Sequence, residues 1–386
     1  MDERRVNQNN QRKKAENKKR MMYYRVLFIV IAVLILVLDI IFIILPDKEL
    51  SETENRTLQQ FPKLNFTTLT NGKFESRFDS YVADQFPGRN GWVGLKSTVD
   101  IFSGKTENNR IYLGKDGYLI QDLTLPDEEA YQAKIEEIRS FVSAHSNLVS
   151  YAMIAPTALS VLSDHLPANA PATDEDAFYD KVKSDLASAG LRVIDPRSAL
   201  KNAASEDQVY YRTDHHWTTY GAYIAYKTLA EELQLPGKDR TYEKEMITDS
   251  FSGTLTASSG FRTSETDKVY VYIPQPEENV SVYYASEGIR SASFYKTENL
   301  EVRDKYTVFF NGNHPQIKIE TASTSTKVLL VIKDSYANCF VPFLAADYQK
   351  IIMIDPRYYT DDIETLMTTE GITDILYLYN ISTFGG

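Results

Sequence analysis

The sequence predicts an α/β protein with a mostly parallel sheet, held to a membrane by one N-terminal transmembrane helix. Three observations carry this. Residues 26–45 form an unbroken apolar run. From about residue 126, continuous apolar segments of strand length alternate with amphipathic helical segments, the pattern of a sheet covered on both faces. Between about 236 and 321 the pattern changes to strand-like alternation between turn residues, which reads as a β-rich insertion.

Each element follows in chain order. Residues 1–25 carry nine Lys/Arg against three Asp/Glu, a net +6 that leaves −17 for the remainder of a chain whose total is −11. Residues 26–45 (VLFIVIAVLILVLDIIFIIL) span about 30 Å as a helix, the thickness of a bilayer core. Asp39, the single charge, lies toward the outer end, where a carboxylate costs less than at the centre. The apolar core is too long for a cleavable signal peptide, and no small-x-small site follows it. The basic flank then places residues 1–25 in the cytoplasm and the C-terminal portion outside. Residues 47–125 read as a stem leading into the main domain, with a short amphipathic helix at 74–86 marked by Phe74, Phe78, Tyr81 and Val82. In the main domain, 126–386, helices are predicted at 127–145, 175–189, 217–234, 335–346 and 361–369. Strands are predicted at 148–154, 191–195, 327–332, 350–354 and 373–379, with strands of the insertion at 269–273, 280–285, 306–310 and 316–320.

Composition narrows the function. A hydrophobic fraction of 43% supports a sizeable core, and a pI of about 5.1 argues against a nucleic-acid binder working through a broad basic surface. The single cysteine, Cys339, excludes an internal disulfide framework and a cysteine-based zinc cluster; it reads as a small core residue. An exported domain without disulfides suits a bacterium, so the sequons at Asn55, Asn65, Asn279 and Asn380 read as chance matches.

Two segments could carry chemistry. The first is YYRTDHHWTTYGAY, 210–223, where two of the chain's five histidines stand beside Asp214. A serine acyl transfer needs a base that titrates near neutrality and a carboxylate that holds its tautomer, and Asp214 with His216 fits both needs. The rival reading makes Asp214 or Thr213 a cap of the following helix. A third makes Asp214, His215 and His216 metal ligands, with no second cluster to complete the site and only His314 as a weak fourth. The second segment is KVLLVIKDSYANCFVPFLAADY, 327–348. A buried strand ends at Lys333-Asp334 and Ser335 opens the next helix, at the sheet edge where open α/β sheets bind ligands. Here too an ordinary cap is the rival reading. Trp217, beside the pair, could form a wall of the site. Arg357 and Tyr358, after the strand at 350–354, could face substrate from the same sheet edge, or Arg357 could pair with Asp355 or Asp347.

TDHHW together with IKDSYANCFVPFL resembles the DHHW family of bacterial membrane-anchored proteins, which is similar to the alginate O-acetyltransferases. SETENRTLQQFP, FESRFDSYVADQFPGRN, the PTA of IAPTALSVL and DPRYY add support. The resemblance implies a circularly permuted SGNH-hydrolase-like α/β fold, with Asp214 as the acid, His216 as the base and Ser335 as the acylated residue; His215 takes the variable place between the first two. Lys333-Asp334-Ser335 departs from the Gly-Asp-Ser of SGNH hydrolases, so the oxyanion donors are not placed by motif. The Ser335 amide is the expected donor, with Asn338, Asn313 and Arg357 as further candidates.

These readings lead to an extracytoplasmic O-acyltransferase, expected to move acetyl groups onto a cell-surface polysaccharide without a cofactor or metal. The resemblance implies a multipass membrane acyltransferase as donor partner. An acetyl esterase with the same three residues, or a non-catalytic polysaccharide-binding or assembly protein, are the alternatives.

Overall fold

The computed structural model describes residues 2–51, 56–261 and 265–384. The Asn55 sequon and residues 52–55 of the SETENRTLQQFP segment lie outside them. The chain divides into two compact units, Met1–Leu95 and Lys96–Gly386.

In the first unit, helix α1 (Asp2–Ile44) contains a stretch, Glu16–Ile44, that is long and apolar enough to cross a membrane. Helix α2 (Lys73–Gln85) presents Tyr81 to an aromatic cluster with Phe42, Phe61 and Phe78, and the Tyr81 hydroxyl donates to Asp47 at 3.0 Å.

Early in the second unit lies a hairpin, β1 (Ile111–Leu113) and β2 (Leu119–Gln121), edged by a two-residue strand at Glu107–Asn108. Ile111 and Leu119 pack with Leu255 and Phe261, and the Leu119 amide donates to the Arg212 carbonyl at 2.8 Å. The region read as a stem therefore divides: residues 96–125 fold with the α/β unit because these apolar side chains are buried there. Later elements include α3 (Glu128–Ala144), β3 (Val149–Ala155), α4 (Glu175–Ser188), β4 (Arg192–Ile194), α5 (Thr219–Leu233), β5 (Thr241–Phe251), α6 (Thr254–Ser259) and β6 (Asp267–Gln275). They are followed by β7 (Ser281–Tyr284), β8 (Ile289–Ser291), β9 (Gln316–Glu320), β10 (Val328–Lys333), α7 (Ala337–Phe340), β11 (Lys350–Ile354), α8 (Ile363–Glu370) and β12 (Asp374–Asn380). Asp127, Asp174 and Asp362 cap α3, α4 and α8 by accepting first-turn amide bonds, which is why each helix begins where an aspartate precedes an acidic turn.

The main sheet has eight strands in the order β8-β7-β9-β11-β10-β12-β3-β4. The five from β11 to β4 are parallel; β9, β7 and β8 extend the β11 edge antiparallel. Strand β10 is buried along its whole length, as the apolar run Val328–Ile332 requires of a central parallel strand. Burying each of Leu330, Val331, Ile352 and Ile375 stabilises the sheet by roughly 1.5–3 kcal/mol. All five parallel strands end on one edge, where Thr157, Asp195, Ser335 and Asp355 follow β3, β4, β10 and β11 and Asn380 closes β12.

Three expectations need correction. The stretch 236–321 is not one insertion: β5 and β6 form their own antiparallel pair, while β7, β8 and β9 belong to the main sheet. Residues 306–310 do not form a strand. Lys305–Val308 is a 3-10 turn, and Phe310 and Asn311 have positive φ, so the chain doubles back. Tyr306, Val308, Phe309 and Phe310 are all buried within this turn. The helix expected at 335–346 is a turn, the four-residue α7 and a 3-10 segment, Val341–Ala346, in which Pro342 has no amide hydrogen to continue the α-helical ladder. The Asn380 sequon ends β12 with its side chain buried and bonded to the Ala155 carbonyl, out of reach of a glycan.

Candidate active site

The first half of the site is a tight loop between Val209 and Thr218. Tyr210 and Trp217 pair as an antiparallel bridge, the Tyr211 amide donates to the His216 carbonyl at 3.2 Å and the Thr218 amide to the Val209 carbonyl at 2.9 Å. The buried Asp267 carboxylate clamps the loop from below. It accepts from the Arg212 amide (2.9 Å), the Thr213 amide (2.8 Å), the Thr213 hydroxyl (2.6 Å) and the Gln208 side chain (2.8 Å). Thr218 caps α5 by accepting from the Gly221 amide, so neither Thr213 nor Asp214 is used as the cap.

Asp214 is thereby free to face His216. Its Oδ1 lies 2.6 Å from His216 Nδ1 and also accepts the His216 amide at 3.0 Å. Its Oδ2 accepts from the amide (2.8 Å) and hydroxyl (2.9 Å) of Thr254, at the start of α6. Gly253 makes this approach possible, since a Cβ there would stand 2.2 Å from the Asp214 Cβ. Burial disfavours the ionised carboxyl, but the adjacent imidazoles and the bonds from His216 and Thr254 outweigh it and hold Asp214 well below the usual carboxylate range.

The second half is the turn after β10. Ser335 Oγ lies 2.8 Å from His216 Nε2, and Ser335 is half-buried. Among the described residues its amide N–H has no hydrogen-bond acceptor. Asp334 does not face the imidazole: its carboxylate accepts the Tyr336 amide at 2.9 Å, the Asn380 amide at 2.6 Å and the Thr383 hydroxyl, which ties the ends of β10 and β12 together. The His216 ring is stacked on Tyr306, with centroids 3.8 Å apart and planes 12° apart, and the Tyr306 hydroxyl donates to the Ser335 carbonyl at 3.0 Å. One tyrosine thus holds both halves.

Of the other residues singled out in the sequence, Trp217 is not a wall of an open site. It is fully buried, stacks on Phe340 and donates from Nε1 to the Tyr336 carbonyl at 3.0 Å. Asn338 is buried, with its Oδ1 on Lys333 Nζ at 2.9 Å and its Nδ2 toward the Asn313 Oδ1 at 3.1 Å, so its amide is not aimed at Ser335. Asn313 Oδ1 also accepts from Lys333 at 2.9 Å. Burial lowers the Lys333 ammonium to about 8, against the pull of Asp355 and Asp334. Arg357 grips Asp355 through Nε (2.8 Å) and a terminal nitrogen (2.6 Å), and Tyr358 beside it is exposed. Cys339 is buried, and burial raises its thiol to about 12.

Asp214, His215 and His216 offer donor atoms within 4.8 Å of one another, a grouping that could suit a metal. Both His216 nitrogens are already engaged, with Asp214 and with Ser335. His314 is elsewhere, bonded to Glu287 at 3.0 Å. Sequence reasoning missed Thr254, Tyr306, Asp267 and Gly253. They are common residue types scattered over the chain, and nothing local marks them.

Residues 111–299 match the family model of the SGNH hydrolase-like domain of the acetyltransferase AlgX. Over these residues, about half of its length, the chain is similar to an SGNH hydrolase-like domain. The matched stretch includes Asp214 and His216 and ends before Ser335. Among curated relatives, the probable alginate O-acetylase AlgJ of Pseudomonas syringae pv. tomato is 26% identical over 213 residues, covering 52% of this chain and 54% of the relative. That of Pseudomonas putida is 26% identical over 183 residues, covering 46% and 47%. The chain spans about half the length of the curated relatives it matches. Among solved structures, a DHHW family protein from Eubacterium siraeum is 26% identical with a TM-score of 0.60, covering 72% of this chain and 93% of that one. Bacillus cereus PatB1, solved with a sulfonyl adduct, shares the fold at 20% identity and a TM-score of 0.57, covering 72% and 97%. The resemblance to the DHHW family and to the alginate O-acetyltransferases, read from TDHHW and KDSYAN, is borne out by these matches.

Proposed function

We propose that this protein is a membrane-anchored O-acyltransferase that moves an acyl group, acetyl in the first instance, onto a hydroxyl of a cell-surface polysaccharide. The observation that carries the reading is the continuous chain Asp214–His216–Ser335, with contacts of 2.6 and 2.8 Å between segments 119 residues apart. In this mechanism Ser335 Oγ attacks the carbonyl carbon of the donor ester as His216 Nε2 takes its proton. The Ser335 amide N–H donates to the oxyanion. Collapse breaks the ester bond, and the departing alcohol takes the proton from His216. In the second half His216 takes the proton of a sugar hydroxyl, that oxygen attacks the acyl-serine, and Ser335 leaves with the proton. Asp214 stays ionised throughout, orienting His216 and stabilising its cation.

The curated relatives named as probable alginate O-acetylases support a polysaccharide acceptor. The basic N-terminal flank supports an outward-facing α/β unit, where acetyl-CoA is absent. The donor would then be a multipass membrane acyltransferase, with α1 keeping the two together.

Replacing Ser335 with Ala in the full chain is expected to lower acyl transfer from p-nitrophenyl acetate to an oligosaccharide by roughly a thousandfold or more, with the melting temperature shifted by only a few degrees. A Ser335→Ala protein that transfers at the wild-type rate sinks the mechanism. Release of acetate to water alone, whatever oligosaccharide is offered, would mark an esterase. Failure of a sulfonyl fluoride to label Ser335, with oligosaccharide binding intact, would mark a non-catalytic binding protein.

A further inference from the structure

His215 is the side chain next to the reacting groups that the mechanism leaves idle. Its ring centroid lies 3.9 Å from that of His216, and its side chain keeps 36% of its surface exposed. The residue is held at both ends. Its carbonyl accepts from the Tyr336 hydroxyl, and its Nδ1 lies 2.9 Å from Thr254 Oγ1.

Counting protons fixes the tautomer. The Thr254 hydroxyl has one hydrogen and two neighbours at hydrogen-bond distance, Asp214 Oδ2 at 2.9 Å and His215 Nδ1 at 2.9 Å. An ionised carboxylate accepts only, and it draws a donor about twice as strongly as a neutral group does. The hydroxyl hydrogen therefore goes to Asp214, and His215 must donate from Nδ1–H to the Thr254 oxygen. A neutral imidazole with its hydrogen on Nδ1 carries a lone pair on Nε2. Partial desolvation, and then the neighbouring His216, lower the His215 imidazole against the pull of Asp214 at 3.6 Å, and it is neutral at physiological pH. Among the described residues Nε2 has no protein partner, and it is not one of the enclosed polar atoms left unsatisfied.

The geometry points to His215 Nε2 as an acceptor site for a second substrate hydroxyl, beside the one that His216 activates. This inference rests on the transferase reading above and sharpens its substrate class. Neighbouring imidazoles, one a base and one a fixed acceptor, suit an alcohol with hydroxyls on adjacent carbons, whose oxygens stand roughly a hydrogen-bond length apart. A vicinal diol of a pyranose ring is such a group; an isolated alcohol satisfies one imidazole only. His215 would then touch the acceptor, and not the acyl donor.

The test separates the two half-reactions in the full chain purified in detergent. Acylation is followed by p-nitrophenol release from p-nitrophenyl acetate, and transfer by partitioning of the acyl-enzyme between cis-1,2-cyclohexanediol and cyclohexanol. Wild type is expected to favour the diol by on the order of tenfold, the size of one net hydrogen bond. His215→Phe, which keeps a ring of similar shape without the acceptor, should acylate within about threefold of wild type and lose the diol preference. His215→Gln, which can offer an acceptor oxygen, should recover part of it. Undiminished diol preference in His215→Phe overturns the inference. So does loss of acylation in a folded His215→Phe, which would make His215 a support for Asp214 only. Wild type that acylates Ser335 without any diol preference overturns this inference alone, whereas wild type that never acylates Ser335 overturns the transferase reading with it. The tautomer is checked without any variant by 15N NMR of histidine-labelled wild type: a proton on Nδ1 is expected, and a proton on Nε2 overturns the argument.

Discussion

Two loops meet at the site, and each contributes an aspartate of nearly equal burial, Asp214 at 2% and Asp334 at 3% exposure. Their partners differ. Asp214 faces an imidazole that touches a serine hydroxyl, with Thr254 holding its other oxygen. Asp334 stands immediately before that serine in the chain, yet it binds the Tyr336 and Asn380 amides and the Thr383 hydroxyl. One carboxylate is placed to affect a proton transfer; the other ties two strand ends. Adjacency in sequence and depth of burial do not distinguish them. What distinguishes them is whether the partner can change its protonation state. A third carboxyl at the same sheet edge, Glu175, is also 2% exposed and, among the described residues, binds the Thr157 amide (2.7 Å) and hydroxyl (2.5 Å).

Substitutions can break this comparison, beginning with the largest expected effect. Asp214→Asn should lower acyl transfer by roughly 10³–10⁴-fold, because an amide cannot stabilise the imidazolium or hold the Nδ1–H tautomer. Its melting temperature should move far less than that scale of barrier change implies. Asp334→Ala should reverse the balance. Loss of three accepted bonds leaves buried amides unsatisfied at about 1–3 kcal/mol each, so denaturant melts should show a clear fall in stability. The variant that still folds should keep more activity than Asp214→Asn. Equal activity losses from the two aspartates would erase the distinction.

Glu175 sharpens the comparison through pH. Burial raises its pKa to about 7, against the Thr157 hydrogen bonds. A folded-state pKa above the ordinary carboxyl value means the folded protein binds the extra proton. The contribution is complete below about pH 4.5 and is lost as pH rises through 7. Wild type should therefore lose several degrees of melting temperature between pH 5 and pH 8, and Glu175→Gln, which mimics the protonated carboxyl, should flatten that slope. An unchanged slope would show that Glu175 is ionised in the folded state. The smallest effect belongs to Trp217→Phe. Loss of the bond to the Tyr336 carbonyl should cost about 1 kcal/mol in a thermal melt, with KM for an oligosaccharide acceptor unchanged, since the indole reaches no substrate.

Much of the fold was legible because its signals are local. Unbroken apolar runs at 328–332, 351–354 and 375–379 mark central strands, and helices 128–144, 175–188 and 219–233 begin behind a capping residue. The segment 305–310 was not legible as a turn. Its aromatic and β-branched composition imitates a strand, and its bend is visible only in the positive φ of Phe310 and Asn311. Within the site, Asp214, His216 and Ser335 were legible as residue types that serve acyl chemistry. Thr254, Asp267 and Tyr306 were not, because a threonine, an aspartate or a tyrosine acquires its role only from what it touches.

The amino-acid order alone determined the apolar helix near the N-terminus, the parallel apolar strands and the two polar loops that follow buried segments, since hydrophobic period and capping act over a few residues. Three-dimensional packing decided that Ser335 reaches His216, that Asp214 serves the imidazole while Asp334 serves the strands, and that Trp217 points inward. The first and last depend on contacts between residues 119 apart, and the Asp334 bonds reach residues 46 and 49 positions away, where a carboxylate or an indole takes whichever partner the folded chain brings within hydrogen-bond distance.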